Sequence, residues 1–400
     1  MNEYDVLIVG AGPAGSRVAY RLAEVGYRVG VFEKYQQIGN KLCCTGIIGR
    51  ECAELFNVES SCVLREAKSA KLFAPSGEFI RVSKDEAQAY IVDRIAFDQS
   101  MAIKAQNASA EYFLGSKVEN ISISNDAVLI DVVHDGDTAR YRGKVVVVAS
   151  GFGSQIPSEL GLGQIKNYVL GAQCEVETKG IDEVEVYFSH QIAPGFFAWL
   201  VPITDGRARV GLGAKEKPGE YLKKLLSQLD SEGKIVDSNV TIQYGGIPLK
   251  PLSRTYGDRV VVVGDAAGQA KPTTGGGIYF GLLCADFASD VLHQSLNTNN
   301  FSRRRLARYE KLWKAKLGRE LRTEYFARRL YNRLSDKRII SIFNVVRDNN
   351  IHESLLTSSY RSFDWHGELV LDGLKRLGPW RDLFGKYLPA YLMSSLKGKS

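Results

Sequence analysis

The sequence predicts an α/β chain with three parts: a Rossmann-like dinucleotide-binding domain, a second domain built on an antiparallel sheet, and a helical C-terminal region. Three observations carry this. Residues 4–34 read as strand, Gly-rich turn, helix and strand. Fully apolar strands return at Val145–Ala149 and Val260–Val263, each running into a Gly-rich turn. Residues 168–215 are strand-like with few helix signals, and beyond 300 the periodicity becomes helical.

The first unit is YDVLIVGAGPAGSRVAYRLAEVGYRVGVFEK. Gly10 permits the tight turn, Gly12 lets a pyrophosphate approach the backbone, and Gly15 lets helix and strand pack closely. The helix that opens at Ala14 offers free N–H groups and the positive end of its dipole. Glu33, 18 residues past Gly15, can accept from ribose hydroxyls and repels a 2′-phosphate, which disfavours NADP at this turn.

With 400 residues the chain suffices for two domains, and its composition is that of an ordinary globular protein. Six cysteines, two of them adjacent, fit neither a secreted disulfide framework nor a CxxC metal site, so a reducing cytoplasmic compartment and no metal are expected. Met1–Asp5 leaves no room for a signal peptide before the first strand, and no apolar run is long enough to span a bilayer. The net charge of +7 is local: residues 301–340 hold fourteen Lys/Arg against four acids, leaving the rest of the chain slightly negative. Such a basic amphipathic helix serves as a solvated face, a nucleic-acid patch or a membrane-surface element.

In chain order, residues 36–56 read as a loop and a short helix. Cys43 and Cys44 lie in that loop, either as core filler or placed against a cofactor. Lys71–Val82 alternates around Pro75-Ser76-Gly77 as a hairpin. Tyr90–Asp98 leads into a helix through Ala105. Val118–Ile123 and Ala127–His134 form a ribbon turning at Asp135-Gly136-Asp137. In the sheet region Pro194-Gly195-Phe196-Phe197-Ala198-Trp199-Leu200-Val201-Pro202 is either a core strand or the aromatic wall of a cavity. Residues 219–235 are helical. Gly264-Asp265 follows a buried strand, and Gly275-Gly276-Gly277-Ile278 opens an apolar helix, a second anion or dipole site. The tail Trp380–Leu396 carries an apolar helical face interrupted by Pro389.

Three of these signals, GAGPAG with Glu33, Arg94 after Asp93, and VVVVGDAAG with TTGGG, resemble in order and spacing the FAD-binding domain of the flavoprotein monooxygenase superfamily. The resemblance covers nearly all of residues 1–300. It implies a discontinuous FAD domain (1–70, 85–160 and 250–298), a substrate domain (71–84 and 161–249) and a helical region (299–400). By position it assigns to FAD Gly10, Gly12, Ala14, Gly15, Glu33, Lys34, Arg94, Val118, Gly264, Asp265, Gly275, Gly276, Gly277 and Ile278. The helix opening at Gly275–Ile278 would face the flavin pyrimidine ring, where reduced flavin carries negative charge. Ser150-Gly151 stands where the superfamily often has Asp-Gly.

Within that group the chain is most similar to the geranylgeranyl reductase family, including the digeranylgeranylglycerophospholipid reductases. Their PxxYxWxFP motif reads PGFFAWLVP here, with Phe197 for Tyr and Val201 for Phe, and their Lys-x-Cys matches Lys41-Leu42-Cys43. The resemblance implies reduction of isolated C=C bonds of an isoprenoid lipid: hydride from flavin N5, and a proton from Cys43 or its rival Cys44. Phe196, Phe197, Trp199, Val201 and Pro202 would line the substrate. With no second dinucleotide fingerprint, the donor is expected to be NAD(P)H bound transiently or a ferredoxin; the basic segment and the apolar-faced tail suit either an anionic membrane surface on the inner face or solvent, and no nucleic acid is expected. The rivals are a flavin-dependent halogenase, since FAWLVP keeps one Trp of WxWxIP, an aromatic monooxygenase, and a non-catalytic flavin-binding partner protein. An electron-transfer flavoprotein dehydrogenase is disfavoured, because no cysteine follows Cys284.

Overall fold

A computed structural model describes residues 2–40, 43–204, 206–356 and 362–376. Lys41, Leu42 and the tail Trp380–Leu396 lie outside them. The first sheet is built around the strand Asn2–Val9, which pairs in parallel with Val29–Phe32 and Asp137–Val148. Glu111–Phe113 and Val260–Val262 extend it in parallel on either side, and Tyr256–Gly257 adds an antiparallel edge. Strands covered on both faces need apolar residues at successive positions, hence the unbroken runs at Val6–Val9, Val145–Val148 and Val260–Val263. Helices Pro13–Ala23, Arg94–Asn107 and Ile278–Asn297 share one core against one face, with Val18, Leu22, Phe97, Phe280 and Leu282 buried in it. The ribbon Ser116–Ile123 and Val128–His134 covers the other.

The sequence suggests a ribbon and a separate strand from Val145. The structure has one strand, Asp137–Val148. Its first half pairs antiparallel with Val128–His134, and its second half enters the parallel sheet. Gly143 sits at this changeover, where a Cβ would be 2.7 Å from Leu7 Cγ.

The second sheet has seven strands in the order Gln243–Pro248, Tyr168–Glu177, Arg207–Ala214, Ala198–Thr204, Val184–Tyr187, Ser69–Phe73, Phe79–Ser83. All neighbours are antiparallel except Val184–Tyr187 with Ser69–Phe73. The expected hairpin therefore joins this sheet from within the first third of the chain. Gln243–Pro248 has no counterpart in the sequence reading, because two glycines and a proline mask its alternation; an edge position tolerates them. Helix Pro218–Ser231 covers the outer face, packing Leu222, Leu225, Leu226 and Leu229 on Ala172, Leu200, Val210 and Leu212.

A three-stranded sheet, Ile47–Gly49, Ala89–Val92 and Val63–Ala67, lies between the two large ones and packs Ile91 on Val201 and Ile203. The basic segment is one helix, Arg303–Tyr331. Tyr309 Oη donates to the Val262 carbonyl and Trp313 Nε1 to Thr255 Oγ1, fixing it against the first sheet's edge. Among the described residues no helix is long and apolar enough to cross a membrane.

Candidate active site

The Gly-rich turn is built as its composition predicts. Gly10 has φ +103°, and a Cβ there would be 2.5 Å from the Ala149 carbonyl oxygen; at Gly15 it would collide with the Gly10 carbonyl. At Gly12 a Cβ would meet nothing within 4 Å, so that glycine serves something other than the protein's own packing. Helix Pro13–Ala23 has no side-chain cap and no acid in its first turn. Glu33 accepts from Ala11 N–H at 2.9 Å and Tyr35 N–H at 3.1 Å, which holds its carboxylate at the turn. Ser150 Oγ, beside Gly10, is buried with no hydrogen-bond partner among the described residues. These features fit a flavin dinucleotide: an open cradle, a free helix N-terminus, a ribose-accepting carboxylate and an orphaned hydroxyl. Lys34 is exposed, 4.9 Å from the Tyr35 ring. Val118 is packed in the core, two residues from Ser116, whose N–H donates to the Glu33 carbonyl.

The second turn is brought to the first. Gly264, at φ +68°, faces Ala14, with a would-be Cβ 3.1 Å from the Ala14 methyl. A Cβ at Gly277 would be 2.5 Å from Asp265 Oδ1, so the Asp265 carboxyl lies under the start of helix Ile278–Asn297, which has no side-chain cap. Burial pushes that carboxyl up to about 6, against the pull of Arg94. Gly275, at φ +77°, places this turn against Ile247 of the second sheet.

Arg94 heads the helix Arg94–Asn107, which Asp93 caps by accepting from Ile95 and Ala96 N–H. Its guanidinium grips Asp98 at 2.9 Å. Burial opposes the Arg94 charge, but Asp98 and the adjoining Cys44 outweigh it and raise its pKa. The two thiols thus part company. Cys44 turns to Arg94, and Cys43 turns to the inner face of the second sheet, its Sγ 3.6 Å from the Gln243 carbonyl. Burial, with the neighbouring Cys44, pushes the Cys43 thiol up to about 12.

Glycines make room for this loop. Cβ atoms at Gly171 and Gly245 would be 3.9 and 3.5 Å from Cys43 Sγ, and at Gly211 and Gly213 they would enter the Trp199 and Phe196 rings. Strand alternation puts Gly171, Gln173, Gly211, Gly213 and Gly245 on one face. Gln173 Oε1 accepts from Thr45 Oγ1 at 3.0 Å and Trp199 Nε1 at 3.3 Å. Arg209 Nη1 donates to the Thr45 and Val92 carbonyls. The loop after Cys44 is thereby tied to the sheet by residues the sequence reading did not single out. The glycine alternation of Gly211-Leu212-Gly213 was the available signal.

The expected wall is only partly assembled. Phe196 and Phe197 stack at 4.4 Å in the turn before the strand, and Phe197 meets Trp199 edge-on at 5.8 Å. Val201 points the same way but packs with Ile91 and Ile203 against the small sheet. Pro202 alternates to the opposite face with Ala198 and Leu200, away from Trp199. A buried polar strap, Ser362–Gly367, also went unforeseen. Asp364 accepts from Gly49 and Cys52 N–H, capping the short helix after the thiol loop, and Trp365 Nε1 donates to Glu51 at 2.8 Å. Lys271 Nζ donates to the Phe363 carbonyl at 3.2 Å, and Thr273 donates to Glu324. The strap joins the thiol loop's anchor to the turn at Gly275.

The family model described as Lycopene cyclase protein matches residues 5–353. The chain is 33% identical over 350 residues to the digeranylgeranylglycerophospholipid reductase of Methanocaldococcus jannaschii, covering 84% of this chain and 88% of that one. Its structure is similar to that of a geranylgeranyl bacteriochlorophyll reductase-like protein from Thermoplasma acidophilum, with TM-score 0.85 and 23% identity, over 97% of this chain and all of the other. A flavin-dependent brominase matches over 96% and 99% of the two chains, at TM-score 0.70 and 16% identity. At these identities the structural likenesses establish the fold, which is that of flavin-dependent proteins.

Proposed function

Because the chain belongs to the digeranylgeranylglycerophospholipid reductase family, we propose that it is an FAD-dependent reductase that saturates isolated C=C bonds of a geranylgeranyl or related isoprenoid chain. Gly10, Gly12, Gly15 and Glu33 hold the ADP half of FAD, and Arg94, Asp265 and the turn Gly275–Ile278 hold the rest. Reduced flavin, when bound, supplies the hydride equivalents.

The observation that carries the reading is the seat of Cys43. Its thiol faces the glycine-floored inner sheet beside Gly171 and Gly245 and keeps its proton at neutral pH. It therefore holds a proton on that face for delivery to one alkene carbon. Cys44, on Arg94, orients the loop. An alkene offers no hydrogen bonds, so binding rests on burial along Phe196, Phe197 and Trp199. At about 0.8 kcal/mol per CH₂ this is ample for a long isoprenoid. Exclusion of water by the same wall protects the reducing equivalents. Electrons come from outside the chain, through a transient NAD(P)H or a ferredoxin. The protein works in the cytoplasm, on the inner membrane surface.

The test is reconstitution with FAD, reduction, and addition of a geranylgeranylated glycerophospholipid. Lipid mass spectrometry should show stepwise gains of H₂. A product that instead requires oxygen and halide would turn the assignment to the halogenase or monooxygenase reading. Absence of any lipid-dependent flavin oxidation would favour a non-catalytic flavin protein.

A further inference from the structure

At the far end of the aromatic wall the helix Arg303–Tyr331 turns a cation inward. Arg328 is 6% exposed, and its guanidinium lies 4.5 Å from the Phe196 ring centroid. Nη2 donates to the Gly195 carbonyl at 2.6 Å. Among the described residues the titratable groups acting on it are Tyr331 and Tyr325 and no carboxylate, although a buried arginine is ordinarily paired. Burial pushes its pKa down to about 10, so it stays charged at neutral pH.

Two more polar groups beside it lack partners among the described residues. Tyr331, one turn on, buries its hydroxyl unpaired, and His190 buries Nε2 unpaired. Their rings lie 4.9 Å apart. His190 Nδ1 accepts from Gly195 N–H at 3.2 Å, so the ring carries its proton on Nε2 and presents a donor. The Asp336 carboxylate also reaches this turn, but its two oxygens are engaged by Ser189 Oγ and His190 N–H. A buried guanidinium with a single hydrogen bond, an unpaired imidazole N–H and an unpaired phenol thus gather around Gly195. Each unpaired buried group costs stability unless a ligand satisfies it.

We propose that Arg328, Tyr331 and His190 form an anion subsite that takes the phosphate of a phosphorylated isoprenoid lipid whose chain lies along Phe196, Phe197 and Trp199. This rests on the isoprenoid reading above. The arrangement is donor-rich, and a phosphate supplies the acceptors that the protein withholds. The wall steps from Trp199 to Phe197 to Phe196 to Arg328, so head-group capture at one end sets which stretch of chain reaches Cys43.

The experiment measures binding of three probes to the FAD-loaded full chain by calorimetry: geranylgeraniol, geranylgeranyl phosphate and inorganic phosphate. The phosphorylated prenol should bind roughly tenfold or more tighter than the alcohol, as a charge-assisted hydrogen bond implies. Arg328→Met should erase that ratio and Arg328→Lys retain part of it. Tyr331→Phe removes only an unpartnered hydroxyl. It should leave the melting temperature unchanged or raised while shrinking the ratio several-fold, and it decides the matter if Arg328→Met fails to fold. Equal affinity for alcohol and phosphate overturns the subsite and leaves the isoprenoid reading standing. Arg328-dependent binding of inorganic phosphate, with neither prenyl compound bound, overturns the lipid as the source of the anion and the isoprenoid reading with it.

Discussion

The indole of Trp199 lies over Gly211 of the neighbouring strand so closely that a Cβ there would be 2.5 Å from its Cζ2 atom. The same indole donates to Gln173, which also receives the Thr45 hydroxyl from the thiol loop. The glycine is what lets an aromatic ring lie flat on the sheet and still reach Gln173. Gly211→Ala should therefore displace the ring and loosen the loop, costing about 1–3 kcal/mol as an overpacked core does. Urea denaturation should show the loss. Lipid reduction should fall while FAD still binds, since the change lies far from the Gly10–Gly15 turn. Unchanged stability would mean the ring does not depend on that gap.

Two glycines of the first turn should answer oppositely to substitution. A Cβ at Gly12 meets no protein atom, so with Gly12→Val the melting temperature of the apoprotein should hold while FAD binding is lost and the protein is colourless. Gly15→Ala would drive a methyl into the Gly10 carbonyl and should destabilise the fold itself. Equal unfolding in both would show that Gly12 serves packing.

The first sheet and its turns were legible because their constraints are local: buried parallel strands demand unbroken apolar runs, and close approach demands glycine at fixed offsets. Cys43 stands out for the same reason, through a short motif. The parting of Cys43 from Cys44 was not legible, because it depends on Arg94 and on two strands about 130 and 200 residues further along the chain. Gln173 and Arg209 look like ordinary polar residues of a half-exposed strand until the register places them inside. The motif resemblance assigns Pro202 to the wall, and the period of two along the strand turns it to the other face. The strap at Asp364 has no local signature, since its work is to satisfy N–H groups more than 300 residues away.

Cys43→Ala should keep the flavin spectrum yet lose lipid reduction by about 10²–10⁴-fold, the usual worth of a general acid. Cys44→Ala should lose less. The pH profile follows from the raised thiol. Below about 12 the proton is retained, so activity should show no loss from Cys43 through the neutral range and decline only toward strongly alkaline pH. Near-full turnover by both variants would remove the thiols from the reaction.

His366 makes the strap sensitive to acid. Burial, reinforced by Lys271, pushes its pKa down to about 3 from an ordinary 6.5. Between those values the unfolded chain takes up a proton that the folded chain refuses, so stability should fall as pH drops from about 6.5 toward 3. Glu324 acts in the opposite sense. Burial raises its carboxyl, so it favours the fold at the acid end and loses that contribution as pH rises through its folded pKa. His366→Gln should therefore flatten the acid limb of the stability profile, read by thermal melts across pH, and leave the neutral limb set by Glu324 in place. An unchanged acid limb would place the sensitivity elsewhere.

The basic helix is expected to carry the protein to a membrane surface. Arg304, Arg308, Lys311, Arg319, Arg322 and Arg329 fall on one exposed face of Arg303–Tyr331, while Leu306, Tyr309, Trp313, Leu317 and Leu321 bury the opposite one. Within the segment Lys314 pairs with Glu310, Lys316 lies over Trp365, Arg308 donates to Gln294, and Arg328 is buried. Near an anionic leaflet each Lys or Arg contributes about 1 kcal/mol. Half of the exposed face would thus give appreciable, salt-sensitive attachment. Sedimentation with anionic vesicles at low salt should bring the protein down, and high salt or neutral vesicles should release it. Charge reversal at Arg304, Lys311 and Arg319 should abolish binding without changing the melting temperature by more than a few degrees, because none of the three packs in the core. Binding to neither vesicle, or salt-independent binding to neutral ones, would leave the face merely solvated and require a carrier to deliver the lipid.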